Sequence, residues 1–585
     1  MARQKHNGQA LLQWSAAVSG ADVQDPLGLG LRGSTRMANQ LLFCITTLTR
    51  RARYFSFIPW AVFDSQKREK AGTLRDRVLR REQALTLGCV ARHDGKPCAG
   101  GSLVGSDGAT AWFAKGRDTI NLRKTDRFAK VAAYDQYFRP LVDLGAFVAH
   151  DNDNRPEESE EEPAEAAAEV QLSPLGTEIA SRLDGLLSGL SSTADIASKE
   201  GVCTVKALAS FGKRAGLCEI MAGSAPDRDL LRDMLFTKLP MKGESHRLRR
   251  HSLLLTLDLC RQFSPSNWLL AEGNFGQAVY YGYLADGKSK LRIWIPPELT
   301  DIATRWRMFY FHHFMSVALE GLFAWLVTHV GDFGLAGTTM DAMVAELDGS
   351  STQKALSEIL GVPLPCSLRE LTPAALFAAA GLPSGPLDRE SSIAIDHAVP
   401  VTSPLCEDAL ETLLRSKEHL RAATGLALPI VLLMVTLARY RQWIDTRYDH
   451  WLWAEANDQR LDLVPPLVLD GLEKRFRGEW WTTPFGELAR HILDRYIVRQ
   501  HTEVSFGKTA TGMGEKCLIA VHGDRISSTK SYAGIGMGNP RFRSAVRILT
   551  DLGLLEENDD AHRLTATGKD FLRAELAAEP ADGVS

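Results

Sequence analysis

Apolar residues recur at helical spacing along most of this chain. Between Arg36 and Phe63, Leu41, Leu42, Ile45 and Leu48 follow that spacing, and Tyr54, Phe55, Phe57 and Trp60 extend the pattern. Thr73 to Cys89 repeats it, with Leu74, Val78, Leu79, Leu85 and Leu87 set among four arginines. The same spacing predicts helices over Ser252 to Phe263, Ala303 to Val330, Glu407 to Arg421 and Ile430 to Trp453. Strand-like runs are few. Ala278 to Leu284 and Leu291 to Ile295 read as two strands, joined by a turn through Asp286-Gly287, a hairpin signal. The expected fold class is mainly α and multi-domain, with a small β-hairpin in the centre and an α+β domain at the C-terminus.

Breaks in the pattern suggest boundaries. Asp151 to Glu169 holds nine acidic residues and one arginine, too little apolar surface to offset the entropy of ordering it. Gly361 to Pro404 is studded with proline, and Val464-Pro465-Pro466 marks a third break. The resulting division is a basic helical domain at 1–150 and an acidic disordered linker at 151–171. A helical domain with the hairpin follows at 172–300. A large helical core domain occupies 301–464, with the proline-rich insert 361–404, and 465–585 forms the C-terminal domain. At roughly 100–200 residues per domain, a length of 585 residues fits three to five units.

Composition narrows the setting. Apolar residues make up 45% and charged residues 24%, as in ordinary globular proteins. The nine cysteines include no CxxC pair, which argues for a reducing, cytoplasmic compartment and against a disulfide framework. Met1 to Gln13 lacks the apolar core of a signal peptide. Met308 to Val330 and Ala422 to Ala438 are apolar. The first carries His312, His313, Glu320 and His329, and the second is short of the about 20 residues a span needs, so both are expected to be core helices.

Charge adds direction. The net charge of −3 conceals an excess of bases in residues 1–150, where 23 Lys and Arg stand against 12 Asp and Glu. Such asymmetry points to an anionic partner. Arg50, Arg51 and Arg53 lie beside Tyr54, Phe55 and Phe57, and Arg75, Arg77, Arg80 and Arg81 form a second basic row. Bases interleaved with aromatics can hold phosphate and stack on nucleobases. The alternative is that the aromatics face a core and the arginines pair with acids such as Asp64, Glu69, Asp76 and Glu82. The expectation is buried aromatics beneath a basic, nucleic-acid-binding surface.

Arg541 to Leu552 reads as an amphipathic helix, with Ala545, Ile548, Leu549 and Leu552 inward and Arg541, Arg543 and Arg547 outward. Gly553 supplies a left-handed cap, Leu554-Leu555-Glu556 and His562-Arg563-Leu564 pair across Asn558-Asp559-Asp560, and Thr565 opens a last helix. This order of helix, hairpin and helix resembles the closing half of a winged-helix domain. The resemblance covers about 35 residues, with helices in Pro484 to Val504 ahead of it and a glycine-rich insertion, Phe506 to Pro540, between. It implies that Arg541, Arg543, Arg547 and Arg563 contact DNA, the helix in the major groove and the wing on the backbone. Winged helices also serve as protein-docking modules.

No complete catalytic constellation is present. The glycine-rich run Gly100 to Gly108 lacks the ending of a phosphate-binding loop. Cys89, His93 and Cys98 have a metal-like spacing, but a zinc site needs four ligands and no fourth lies nearby in sequence, so no metal or cofactor is expected. His312 and His313 read as core histidines. Glu272, Asp286 and Lys288 around the hairpin are the nearest set to a metal-dependent nuclease site.

Taken together, the sequence reads as a non-catalytic subunit that binds nucleic acid, DNA in the first instance, and works beside other protein subunits such as a motor or nuclease. The whole chain resembles proteins from bacterial defence islands, which implies a cytoplasmic role in anti-phage defence, with no membrane partner. The alternatives are a divergent metal-dependent nuclease and a pure protein-interaction scaffold.

Overall fold

The computed structural model describes residues 27–98, 101–148, 170–221, 225–236, 243–361, 363–382, 399–416, 424–443, 463–510, 517–528, 540–558 and 561–578. The acidic segment Asp151 to Glu169 lies outside them, as do 362 and 383–398 of the proline-rich insert and 511–516 and 529–539 of the glycine-rich insertion. The described chain is mainly helical with small sheets.

The front of the chain forms α1 (Leu31–Leu41), α2 (Tyr54–Arg68), α3 (Leu74–Arg92), α4 (Ser106–Phe113) and α5 (Ala133–Asp143). A single helix over Arg36 to Phe63 is not formed. The hydroxyls of Thr46 and Thr49 bond each other and neighbouring backbone N–H groups, and Cys44 takes a left-handed φ of 67°, so the chain turns between α1 and α2. The Thr73 side chain accepts the Asp76 N–H and starts α3.

Next come α6 (Pro174–Leu187), α7 (Ser191–Ala197), α8 (Val205–Ala215), α9 (Arg228–Leu235) and α10 (Glu244–Phe263). Helix α8 packs on α3 where two glycines meet. A methyl on Gly88 would lie 2.5 Å from the Leu208 carbonyl oxygen, and one on Gly212 would run into the Gly88 carbonyl. Strands β1 (Thr119–Asn121) and β4 (Val202–Thr204) pair antiparallel beside this crossing. The two-residue β2 (Phe147–Val148) and β3 (Gln171–Leu172) pair with each other.

The centre holds α11 (Glu272–Tyr281), α12 (Thr300–Gly331), α13 (Met340–Ala345), α14 (Ser350–Leu360), α15 (Pro373–Ala379), α16 (Glu407–Arg415) and α17 (Thr424–Trp443). Ala278 to Tyr281 is the end of α11, not strand, and the hairpin is shorter than predicted: β5 (Tyr283–Ala285) with β6 (Lys290–Arg292). The aromatic run looks strand-like in sequence, but Phe275, Tyr280 and Tyr281 are buried, with Phe275 against Trp306 and Tyr280 against Phe311. Helices α12 and α17 are long and apolar enough to cross a membrane by composition, yet they pack on each other and are mostly buried. Arg439 of α17 pairs with Glu407 of α16 at 2.7 Å, and the Tyr280 and Tyr281 hydroxyls of α11 donate to the same carboxylate. His312 reaches the Gly30 carbonyl at 2.7 Å and His313 pairs with Glu411 at 3.1 Å. The His313 and Arg415 charges outweigh the upward push of burial and hold Glu411 at about 2, whereas burial beside Glu411 and Glu407 raises Asp408 to about 7.

The C-terminal part contains α18 (Pro465–Arg475), α19 (Phe485–Ile492), a π-helical turn over Leu493–Arg499 and α20 (Gln500–Ala510). Strands β8 (Ile519–His522) and β9 (Arg525–Ser528) form a hairpin that β7 (Thr338–Thr339) joins from the central region. The predicted closing order is observed: α21 (Phe542–Asp551), Gly553 at φ 72°, β10 (Leu555–Asn558), β11 (Ala561–Leu564) and α22 (Ala566–Ala577).

One buried apolar core runs through all the described predicted segments. Polar contacts cross the predicted boundaries as well. Arg51 bonds Asp551, Arg53 bonds Asp227, and His501 bonds the Leu27 carbonyl.

Candidate nucleic-acid interface

The structure buries five of the eleven arginines singled out in sequence. Arg51 is fully buried, with Nε 2.9 Å from Asp551 and Nη1 donating to the Gly101 carbonyl. Asp551 also accepts the Ala52 N–H. Burial pushes the Asp551 carboxyl up, and the Arg51 charge opposes that. Arg53 reaches Asp227 at 3.3 Å and the Gly216 carbonyl at 3.0 Å. Arg81 lies between Asp64 at 2.7 Å and Glu69 at 3.0 Å, Arg80 joins Glu69 at 2.7 Å, and Arg77 donates to the Glu69 carbonyl. These five are buried and held by protein acceptors, so they do not form the exposed basic surface expected at α2 and α3. Arg75, part-exposed, is held by Asp135 at 2.8 Å, and Arg50, exposed, donates to the Thr47 carbonyl. The neighbouring aromatics, Tyr54, Phe55, Phe57 and Trp60, are buried as expected.

Helix α21 is also turned inward. Phe542 packs on Phe275 at 4.6 Å, and the helix is buried from Ser544 to Val546 and from Ile548 to Asp551. Arg541, in a left-handed conformation with φ 59°, donates to the Ile45 carbonyl, and burial lowers its guanidinium to about 10. Arg547 pairs with Glu557 at 2.6 Å. Arg543 is exposed beside Glu272 at 3.1 Å, and Arg563, also exposed, lies across from Glu556 in the hairpin. A helix that enters a major groove needs one long open face, and α21 offers Arg543 and little else.

The nuclease-like set does not assemble. Glu272, at the start of α11, is taken by Arg543. Asp286, at the hairpin tip, accepts the N–H groups of Lys288 and Ser289 and the Ser289 hydroxyl. Those bonds hold its carboxyl below the usual range. Among the described residues, neither carboxylate belongs to a cluster able to hold a metal.

A different basic surface is formed around α8. Lys206, Ser210 and Lys213 follow one helical stripe, Arg214 adjoins it, and all four are exposed. The Val205 N–H donates to the Asp118 carbonyl at 2.8 Å, which brings exposed Arg117 and Lys115 to the start of this helix. The Leu122 N–H donates to the Gly201 carbonyl, which brings exposed Lys124 beside Lys199. These seven bases make no ion pair with a described residue, although Asp118 and Glu200 are exposed among them. Sequence reasoning missed them because they fall on two segments about 80 residues apart, brought together by the β1–β4 pairing. The stripe at 206, 210 and 213 was the available signal.

Beside the lower end of α8, the metal-like motif gains a member. Cys218 lies 3.4 Å from His93 and 3.7 Å from Cys98. Sequence spacing could not show Cys218, and the ligand atoms that come within 4.8 Å of one another are those of His93, Cys98 and Cys218.

No protein-family model matches this chain, and neither curated proteins nor solved structures give a match.

Proposed function

We propose that this chain is a nucleic-acid-binding subunit without chemistry of its own, acting with a protein partner such as a motor or nuclease. The observation that carries the proposal is the exposed set on α8 and the β1 loops: Lys115, Arg117, Lys124, Lys199, Lys206, Lys213 and Arg214. Bases already paired with buried carboxylates have little to gain from phosphate. Bases facing water gain by releasing the condensed counterions of a nucleic acid. Contacts of this kind read backbone charge more than sequence, which suits a subunit that positions a strand for another protein.

The C-terminal helix–hairpin–helix keeps its likeness to a winged helix in element order. With α21 turned inward, we assign this unit to docking within the chain rather than to a DNA groove. Arg543 and Arg563 then carry at most a peripheral contact.

The test is charge reversal on α8. The K206E/K213E/R214E triple variant is expected to bind labelled DNA at least tenfold more weakly than the native chain. Its plot of log affinity against log salt becomes shallower by about three phosphates' worth, roughly 0.9 per contact on duplex. Arg543→Glu with Arg563→Glu changes both quantities little. Equal affinity and slope in the triple variant and the native protein would remove this surface from the account. A second reading, a protein-interaction scaffold, draws on exposed Phe333 and Leu335, the latter 94% accessible. It predicts a tight protein complex with no measurable DNA binding.

A further inference from the structure

Cys89 and His93 lie at the end of α3, one helical turn apart. Cys98 follows in the loop, and Cys218 sits in the short 3-10 turn Leu217–Met221 after α8. The ligand atoms of His93, Cys98 and Cys218 all lie within 4.8 Å of one another. Cys89, buried one turn before His93, is the next thiol in sequence but lies outside this group of three.

The spacings are those of a coordination shell. Zinc takes Cys sulfur at about 2.3 Å and His nitrogen at about 2.0–2.1 Å in tetrahedral geometry, which sets sulfurs about 3.8 Å apart and sulfur about 3.5 Å from nitrogen. Here Cys98 and Cys218 sulfurs are 3.7 Å apart, and the Cys218 sulfur is 3.4 Å from His93 Nε2. A disulfide requires about 2.05 Å, and all nine cysteines are free.

Three thiolates and one neutral imidazole around a divalent ion leave a net charge of −1. The buried Arg51 guanidinium acts on Cys98, and Arg92, paired with Glu219, lies 3.9 Å from the Cys218 sulfur.

We propose that His93, Cys98 and Cys218 bind one zinc ion and that the Cys89 thiol turns in to complete the shell. The ion has no open position for a substrate, so its role is structural. It clips the loop after α3 to the turn after α8, closing a span of 120 residues next to the Gly88–Gly212 helix crossing. Four protein ligands with the thiolates deprotonated release protons on binding, so occupancy falls in acid.

The test is metal content and cobalt substitution on the full chain. Protein isolated under reducing conditions without added metal is expected to contain about one zinc per chain. Exchange for Co(II) should give the visible bands of a tetrahedral ion and the near-ultraviolet charge-transfer band of thiolate ligation. Cys218→Ala and His93→Ala should each lose or greatly weaken the bound metal, and Cys203→Ala, a buried cysteine outside the cluster, should keep it. Should the first two variants fail to fold, chelation of the native protein serves instead, and it is expected to lower the melting temperature. Folded native protein that carries no zinc and takes up no Co(II), or that contains a Cys98–Cys218 disulfide, would overturn the assignment.

Discussion

At the scale of single residues, the arginines separate the sequence from the structure most sharply. Tyr54, Phe55, Phe57 and Trp60 were legible as core, because aromatic side chains bury large area wherever the fold allows. Arg51 and Arg53 were not legible, because their carboxylates come from Asp551 and Asp227, 500 and 174 positions along the chain. A guanidinium drawn into a core is tolerated only when it is paired and hydrogen-bonded. Removing one partner leaves the other charge buried alone. Arg51→Ala is therefore expected to cost about 3–5 kcal/mol of unfolding free energy. Replacing both partners with apolar side chains, as in R51M/D551L, should cost less than the single change. Chemical denaturation checks both. A loss below about 1 kcal/mol for Arg51→Ala would place that side chain in contact with water, as an exposed pair behaves.

At the scale of elements, apolar periodicity located most helices, and capping residues such as Thr73 and Thr565 fixed where some begin. Two failures have distinct causes. The hydroxyl bonds of Thr46 and Thr49 broke a helix that periodicity alone would continue. The buried aromatic run at the end of α11 read as strand because it is apolar on all sides. The contact between α3 and α8 was also hidden, since a single glycine in a helix gives no sign of its partner. That contact has a direct consequence. Gly212→Ala would force its methyl into the Gly88 carbonyl, and helix backbones must separate to admit it. The expected loss is about 1–3 kcal/mol, typical of an overpacked core, read as a lower urea midpoint with an unchanged slope. An unaltered midpoint would mean that the helices do not touch there. The zinc cluster hangs on the same pair of helices, which is why C-x3-H-x4-C looked incomplete in sequence. Its last ligand arrives on the turn that follows α8.

For the whole molecule, the charge asymmetry of residues 1–150 was real, but its destination was not legible from counts. Asp551 and Asp227 neutralise Arg51 and Arg53 inside, and three of the bases left facing water, Lys115, Arg117 and Lys124, lie on the β1 loops next to the exposed bases of α8. The same inward pairing and a shared core tie segments that composition had divided. The account then rests on one surface, and lysine acetylation with and without bound DNA measures it most directly. The account predicts that Lys115, Lys124, Lys199, Lys206 and Lys213 are protected when DNA binds. Lys354 and Lys569, exposed on α14 and α22, should react equally in both states. Protection that spares the α8 surface, or equal labelling everywhere, would contradict the account.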